Sequence, residues 1–102
     1  GGYAQSAVAS IVTLDENDRC KDVRMVLMSV GEVPILSQKA GEILVGNAPT
    51  REAIEEVAEL TVTTEIDPAT DLHATADYRR SITRVLVVRS LTEAFERAKK
   101  GG

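Results

Sequence analysis

Residues 3–14 read YAQSAVASIVTL, residues 15–18 read DEND and residues 19–30 read RCKDVRMVLMSV, and this run decides the fold. In the first segment Val8, Val12 and Leu14 alternate with Ala7, Ala9 and Ile11, so apolar side chains fall on both alternate faces. Small and β-branched residues at period 2 predict a strand that is covered, at least in part, on both sides. The polar cluster that follows contains Asn17 and Asp18, residue types that tolerate turn conformations. In residues 19–30 the polar Lys21, Asp22 and Arg24 give way to an apolar run, which makes this segment the antiparallel partner of a hairpin. Met25 and Met28 are read as core fillers, and Cys20 as a small half-buried residue at the start of the strand.

Working outward, Gly31 and Pro34 punctuate the chain and leave Val33, Ile35 and Leu36 as a short third strand, because a residue before Pro avoids helix. Ser37 then suits the N-cap of a short helix through Val45, with Gly46-Asn47 as its stop. Thr50 caps a second helix with Glu52 in its first turn. Ile54, Val57, Ala58, Thr61 and Val62 form its apolar face, while Glu55, Glu56 and Glu59 face water, and it ends by Asp67-Pro68. After a connector over residues 71–74, Thr75 caps the longest helix, from Ala76 to about Ala98. Its apolar positions Tyr78, Ile82, Val85, Leu86, Val88, Leu91 and Phe95 span a broad arc, so much of it is expected to be buried. Strands first and helices after is the layer order of an α+β fold.

A length of 102 residues allows one domain, expected over residues 1–102, and 43% hydrophobic with 27% charged residues is a folding composition. No apolar run approaches the roughly 18 residues a membrane helix requires, and the first residues lack the sections of a signal peptide. A lone Cys20 forms no internal disulfide, so a reduced, cytoplasmic setting and no membrane partner are expected. Residue 1 is Gly and the first Met is Met25, which reads as a piece cut from a longer chain.

Residues 1–76 carry 5 basic and 13 acidic residues, net −8, whereas residues 77–102 carry 7 basic and 3 acidic, net +4. The arginines of the second part sit in a helical pattern without interleaved aromatics, and the acidic stretch over residues 52–71 lies just upstream to face them. Nucleic-acid binding is therefore not expected, since phosphate affinity needs clustered positive charge that the rest of the domain would oppose. Glycines are isolated, so no phosphate-cradling loop is present. His73 and Cys20 alone cannot make a His/Cys metal site, and Asp67 and Asp71 around Pro68 read as turn caps. One His in a connector gives no base for a nucleophile, so neither catalytic nor metal-ligating residues are assigned.

The stretch EIDPATDLHATADYRR over residues 65–80, continuing as RVLVVRSL over residues 84–91, resembles the C-terminal domain of the FAD-binding medium subunit of molybdenum hydroxylases, the carbon monoxide dehydrogenase and xanthine dehydrogenase family. The shared pattern is an acidic-Pro connector, a small-Ser/Thr-small-acidic-Tyr-Arg-Arg helix start and a V-L-V-x-R-x-L helix body. It makes physical sense if Thr75 caps, Asp77 sits in the positive first turn, Tyr78 packs inward and the arginines snorkel. IEEVAEL over residues 54–60 and the Tyr3-Ala4 pair extend the likeness along nearly the whole chain. It departs at Met28-Ser29-Val30 and Pro34-Ile35-Leu36, where the family commonly has Gly-Gly-Val and Pro-x-Arg.

The resemblance implies an antiparallel sheet of three or four strands packed on about three helices. It also implies a structural role: FAD is held mainly by earlier domains of the same subunit, and not by this domain alone. Those preceding domains, an iron–sulfur small subunit and a molybdopterin-bearing large subunit are the implied partners. By alignment of Tyr3-Ala4, Gln5 falls where relatives place a residue near the flavin, and it is expected at the ring edge as a hydrogen-bond donor. Arg79, Arg80 and Arg84 are candidates for contacts with absent domains or subunits. The alternative is a stand-alone interaction or oligomerisation module without flavin.

Overall fold

The computed structural model describes residues 6–29, 32–67 and 75–101. Three strands, β1 (Ser6–Leu14), β2 (Cys20–Ser29) and β3 (Ile35–Leu36), form an antiparallel sheet in the order β1-β2-β3. Three helices follow: α1 (Gln38–Leu44), α2 (Arg51–Leu60), extended by a π-helical turn over Thr61–Glu65, and α3 (Ala76–Lys99). The architecture is thus the α+β one expected, with three strands. Val30, Gly31, Pro68 and the connector with Asp71 and His73 lie outside the described residues, as do Tyr3, Ala4 and Gln5.

The hairpin forms because its turn closes itself. Asp15 donates its amide to the Arg19 carbonyl at 2.8 Å, and its carboxylate accepts from the amides of Arg19 at 3.0 Å and Asn17 at 2.8 Å. Those two bonds, Arg19 foremost, hold the Asp15 carboxyl below the ordinary aspartate range. Asp18 takes the left-handed conformation with φ 60°, which Asp tolerates better than most residues.

Register fixes what each side of the sheet presents. Val8 pairs Leu27, Ser10 pairs Met25, Val12 pairs Val23 and Leu14 pairs Cys20, and this side carries the core. Against it α3 packs on β1, α1 packs on β2, and α2 bridges α1 and α3. Met25, Leu44, Val57, Val87 and Leu91 are fully buried at the centre, together with Cys20 and Ala40. Cys20 is wholly buried, more than the sequence suggested, because the loop after α1 clamps it. Gly46 donates to the Cys20 carbonyl at 2.8 Å, and the Cys20 amide donates to Asn47 at 3.0 Å. Gly46, at φ 87°, is the positive-φ residue that turns the chain there.

Several expectations change. β1 is covered on one side only, since Ala7, Ala9, Ile11 and Thr13 are exposed. Met28 belongs to that same open side and is 38% exposed, because it pairs with Ala7 and not with a core-facing residue. On α3 the buried stripe is Thr83, Val87, Leu91, Ala94 and Phe95, whose spacings of three and four trace a single narrow face. Tyr78 and Val85 lie off that stripe and are 53% and 56% exposed, so Tyr78 does not pack inward. Val33 stands outside the third strand and is exposed. The caps are as read: Ser37 accepts from Ala40, Thr50 from Ala53 and Thr75 from Tyr78.

Glu65, at the end of the π-helical turn, accepts from the Ser37 hydroxyl, the Thr61 hydroxyl and the Gln38 and Lys39 amides. Glu65→Ala should lower stability by about 2–4 kcal/mol, because it leaves charge-assisted donors without their acceptor, and urea unfolding measures this. Asp18→Gly should raise stability by about 0.5 kcal/mol by relieving the positive φ. Asp15 is expected to contribute stability above about pH 4, the ordinary aspartate value, and to lose it as pH falls through its lowered folded value. Unfolding midpoints of Asp15→Asn measured between those values should therefore vary less with pH than those of the parent.

Candidate functional site

Two surfaces stand out, on opposite sides of the helical layer. The first is the open side of the sheet, where Ala7 pairs Met28, Ala9 pairs Val26, and Val26 also pairs Leu36. Ile11 is 70% exposed and Leu36 59%. An antiparallel sheet with one solvated side normally carries polar residues there. Here the polar residues, Thr13, Asp22 and Arg24, are confined to the end nearest the hairpin turn, and the remainder is apolar. A contiguous apolar patch of this kind marks a place where another surface packs.

The second is a groove of about 880 Å³ between α2 and α3. Ala58, Val85 and Val88 line its base, and charged side chains of both helices form its walls. Arg84 Nε lies 2.9 Å from Glu59 Oε2 and Arg51 Nε 3.1 Å from Glu55 Oε2. One turn before Arg84, Arg80 Nε donates to the Val62 carbonyl at 3.1 Å, where it complements the negative end of the α2 extension. Because 62 meets 80 and 59 meets 84, the two helices run in opposite directions. Arg80 and Arg84 therefore fasten α3 to α2, and their remaining guanidinium N–H groups are what they can offer another chain. Arg79 is half-buried. Gln5, the residue expected at a flavin edge, lies outside the described residues. The sequence assigns no site to the acidic groove: Glu55, Glu56 and Glu59 read there as a solvated helix face and Glu52 as a first-turn residue.

A family model described as the CO dehydrogenase flavoprotein C-terminal domain matches residues 1–94. The chain belongs to that family. It is 35% identical over 99 residues to the alpha subunit of the 6-hydroxypseudooxynicotine dehydrogenase complex of Paenarthrobacter nicotinovorans, covering 97% of this chain and 33% of that one. It is 30% identical over 99 residues to the carbon monoxide dehydrogenase medium chain of Afipia carboxidovorans, covering 97% and 34%. The crystal structure of quinoline 2-oxidoreductase from Pseudomonas putida 86 superposes with a TM-score of 0.84 at 26% identity, over 94% of this chain and 33% of that one. That of the Cu,Mo-CO dehydrogenase gives 0.80 at 29% identity, over 94% and 33%. The chain thus spans about a third of the length of these relatives.

A flavoprotein family implies FAD. A flavin diphosphate needs backbone N–H groups at a glycine turn or a cationic pocket. The groove carries five carboxylates against three guanidinium groups. A groove with that excess of carboxylates does not fit the diphosphate of FAD. Nor do the described residues bring together three His, Cys, Asp or Glu side chains able to hold a metal ion. No helix among them is long and apolar enough to cross a membrane.

Burial, reinforced by the nearby Asp22 carboxylate, pushes the Cys20 thiol up from its ordinary pKa. An aromatic disulfide reagent at pH 8 should leave Cys20 unmodified in the native protein and react stoichiometrically after unfolding in urea, followed by absorbance of the released thiolate.

Proposed function

We propose that this chain is the C-terminal structural domain of an FAD-binding subunit of a molybdopterin-dependent oxidoreductase. In this reading the flavin, held by other domains of the subunit, relays electrons between iron–sulfur clusters in a small subunit and an external acceptor. A large subunit bears molybdopterin, and the complex works in the cytoplasm. The domain supplies no reacting group. It gives the flavin-bearing portion a rigid surface to pack on and contributes to assembly of the subunits.

The observation that carries this reading is the open apolar side of the sheet in a chain that spans about a third of its relatives. The relatives' names place them in oxidoreductases of more than one chain, as a medium chain and as a complex's subunit alpha. A domain built to stand in water would carry polar residues where Ala9, Ile11 and Leu36 stand. Covered by the rest of a subunit, an Ile side chain contributes about 1.5–3 kcal/mol.

In the intact subunit, Ile11→Asp should lower both flavin content and thermal midpoint, whereas Glu16→Gln on the hairpin turn should leave both unchanged. Equal flavin content and midpoint for Ile11→Asp and parent would exclude the sheet as the packing surface. Titration of the 102-residue chain alone with FAD should show no stoichiometric binding by fluorescence quenching. Gln5→Leu in the intact subunit should shift the flavin potential, and an unchanged potential would remove Gln5 from the flavin edge.

A further inference from the structure

The groove between α2 and α3 has a composition that the structural role leaves unexplained. Of its five carboxylates, Glu59 and Glu55 are engaged by Arg84 and Arg51, while among the described residues Glu52, Glu56 and Glu93 have no ion pair. Among the described residues Arg89 is the one lining guanidinium not so engaged. Glu52 and Glu56 are four residues apart on one helix, a like-charge spacing that is repulsive along α2. Between the acidic walls Val85 is 56% exposed beside the half-buried Val88. An apolar strip flanked by unneutralised carboxylates is complementary to a surface that presents an aliphatic row with cations beside it.

We propose that this groove receives a Lys- or Arg-bearing amphipathic helix from another polypeptide of the complex. The inference rests on the reading of this chain as part of a multi-subunit oxidoreductase. A helix, and not a strand, is the occupant because both walls are helices whose backbone groups are already bonded within themselves. An extended segment laid there would find no N–H or C=O partners and would leave its own backbone unsatisfied. A third helix satisfies its own backbone and needs only side-chain packing along the strip of Val85 and Val88. Its cations meet Glu52, Glu56 and Glu93, turning the repulsion stored along α2 into attraction.

The test uses the assembled complex, with association followed by sedimentation velocity over a dilution series and flavin content recorded for the same samples. The triple variant Glu52→Lys/Glu56→Lys/Glu93→Lys should associate about tenfold or more weakly with its partner subunit, with flavin content unchanged. Parent association should weaken between about 50 and about 300 mM salt, and that salt dependence should be lost in the triple variant. Val85→Ser, at an exposed position outside the core, should weaken association several-fold while keeping the charges, and it decides the matter if the triple variant does not fold. Association within twofold of the parent for these variants overturns the proposal. So does loss of flavin or folding in the isolated subunit carrying Val85→Ser, which would mean that the groove is filled by its own chain. A change confined to self-association, which would make a second copy the occupant, overturns it as well. A subunit that holds no flavin and joins no complex overturns the proposed function and this inference together, whereas a flavin-loaded complex indifferent to the variants overturns this inference alone.

Discussion

Glu65 accepts from the Ser37 hydroxyl at 2.5 Å, from the Thr61 hydroxyl at 3.1 Å and from the amides of Gln38 at 2.7 Å and Lys39 at 3.2 Å, so one carboxylate joins the start of α1 to the end of the α2 extension. The rest of the helical layer depends on that junction. α1 has seven residues, well below the roughly 12–15 at which an isolated helix becomes even marginally stable. It persists because each of its first four amides has a partner: Met25 for Ser37, Glu65 for Gln38 and Lys39, and the Ser37 hydroxyl for Ala40. With α1 fixed, Ala40 and Leu44 fill the space between β2 and α2, and the loop after α1 closes on Cys20. The π-helical turn takes part in this aim, since its wider winding sets where Glu65 ends up relative to Thr61.

The sheet transmits this order to α3. Ser10 on β1 lies 2.7 Å, hydroxyl to hydroxyl, from Ser90 on α3, and two small residues at the crossing let helix and strand approach closely. Arg97 reaches back to the Ser10 carbonyl at 3.3 Å. On the opposite flank Arg80 and Arg84 bind α3 to α2. The helix is thus held by a polar link on each side of its apolar stripe. Exposed ion pairs of this sort contribute little singly, but the Arg80 bond to Val62 also satisfies a carbonyl at a helix end, where a cation is favoured.

Much of this was legible in the chain itself. Ser37, Thr50 and Thr75 mark three helix starts because a hydroxyl ahead of a periodic segment has one evident use. The hairpin was readable from its polar cluster and flanking alternation. What failed was the arc of α3. Apolar residues at 78, 82, 85, 86, 87, 88, 91 and 95 fit several faces, and choosing among them needs the position of β1, which local periodicity does not contain. Glu65 was equally hidden, since it lies 28 residues from Ser37 and its role arises only when α1 and the π-helical turn meet. The groove escaped notice for a related reason. Most of its carboxylates are visible along one helix, but Glu93 and the valines of its lining come from another.

Reading β1 as covered on both sides has more content than its failure suggests. Alternation reports the environment in which a strand is stable, and that environment can be completed by residues outside the 102. The even positions of β1 face helices of this chain, and the odd positions carry largely the same apolar character with nothing above them among the described residues. Charge shows the same asymmetry. The basic helix neutralises part of the acidic one through Glu59 and Arg84, yet among the described residues Glu52, Glu56 and Glu93 are left over in the groove between the two helices. An apolar surplus on one side and an acidic surplus on the other are requirements of two different neighbours. Apolar contact buries permanently and suits domains of one chain, whereas a charged rim steers partners that must find one another by diffusion. In the proposed assembly the sheet side therefore suits the remainder of the subunit, and the helical side a separate chain.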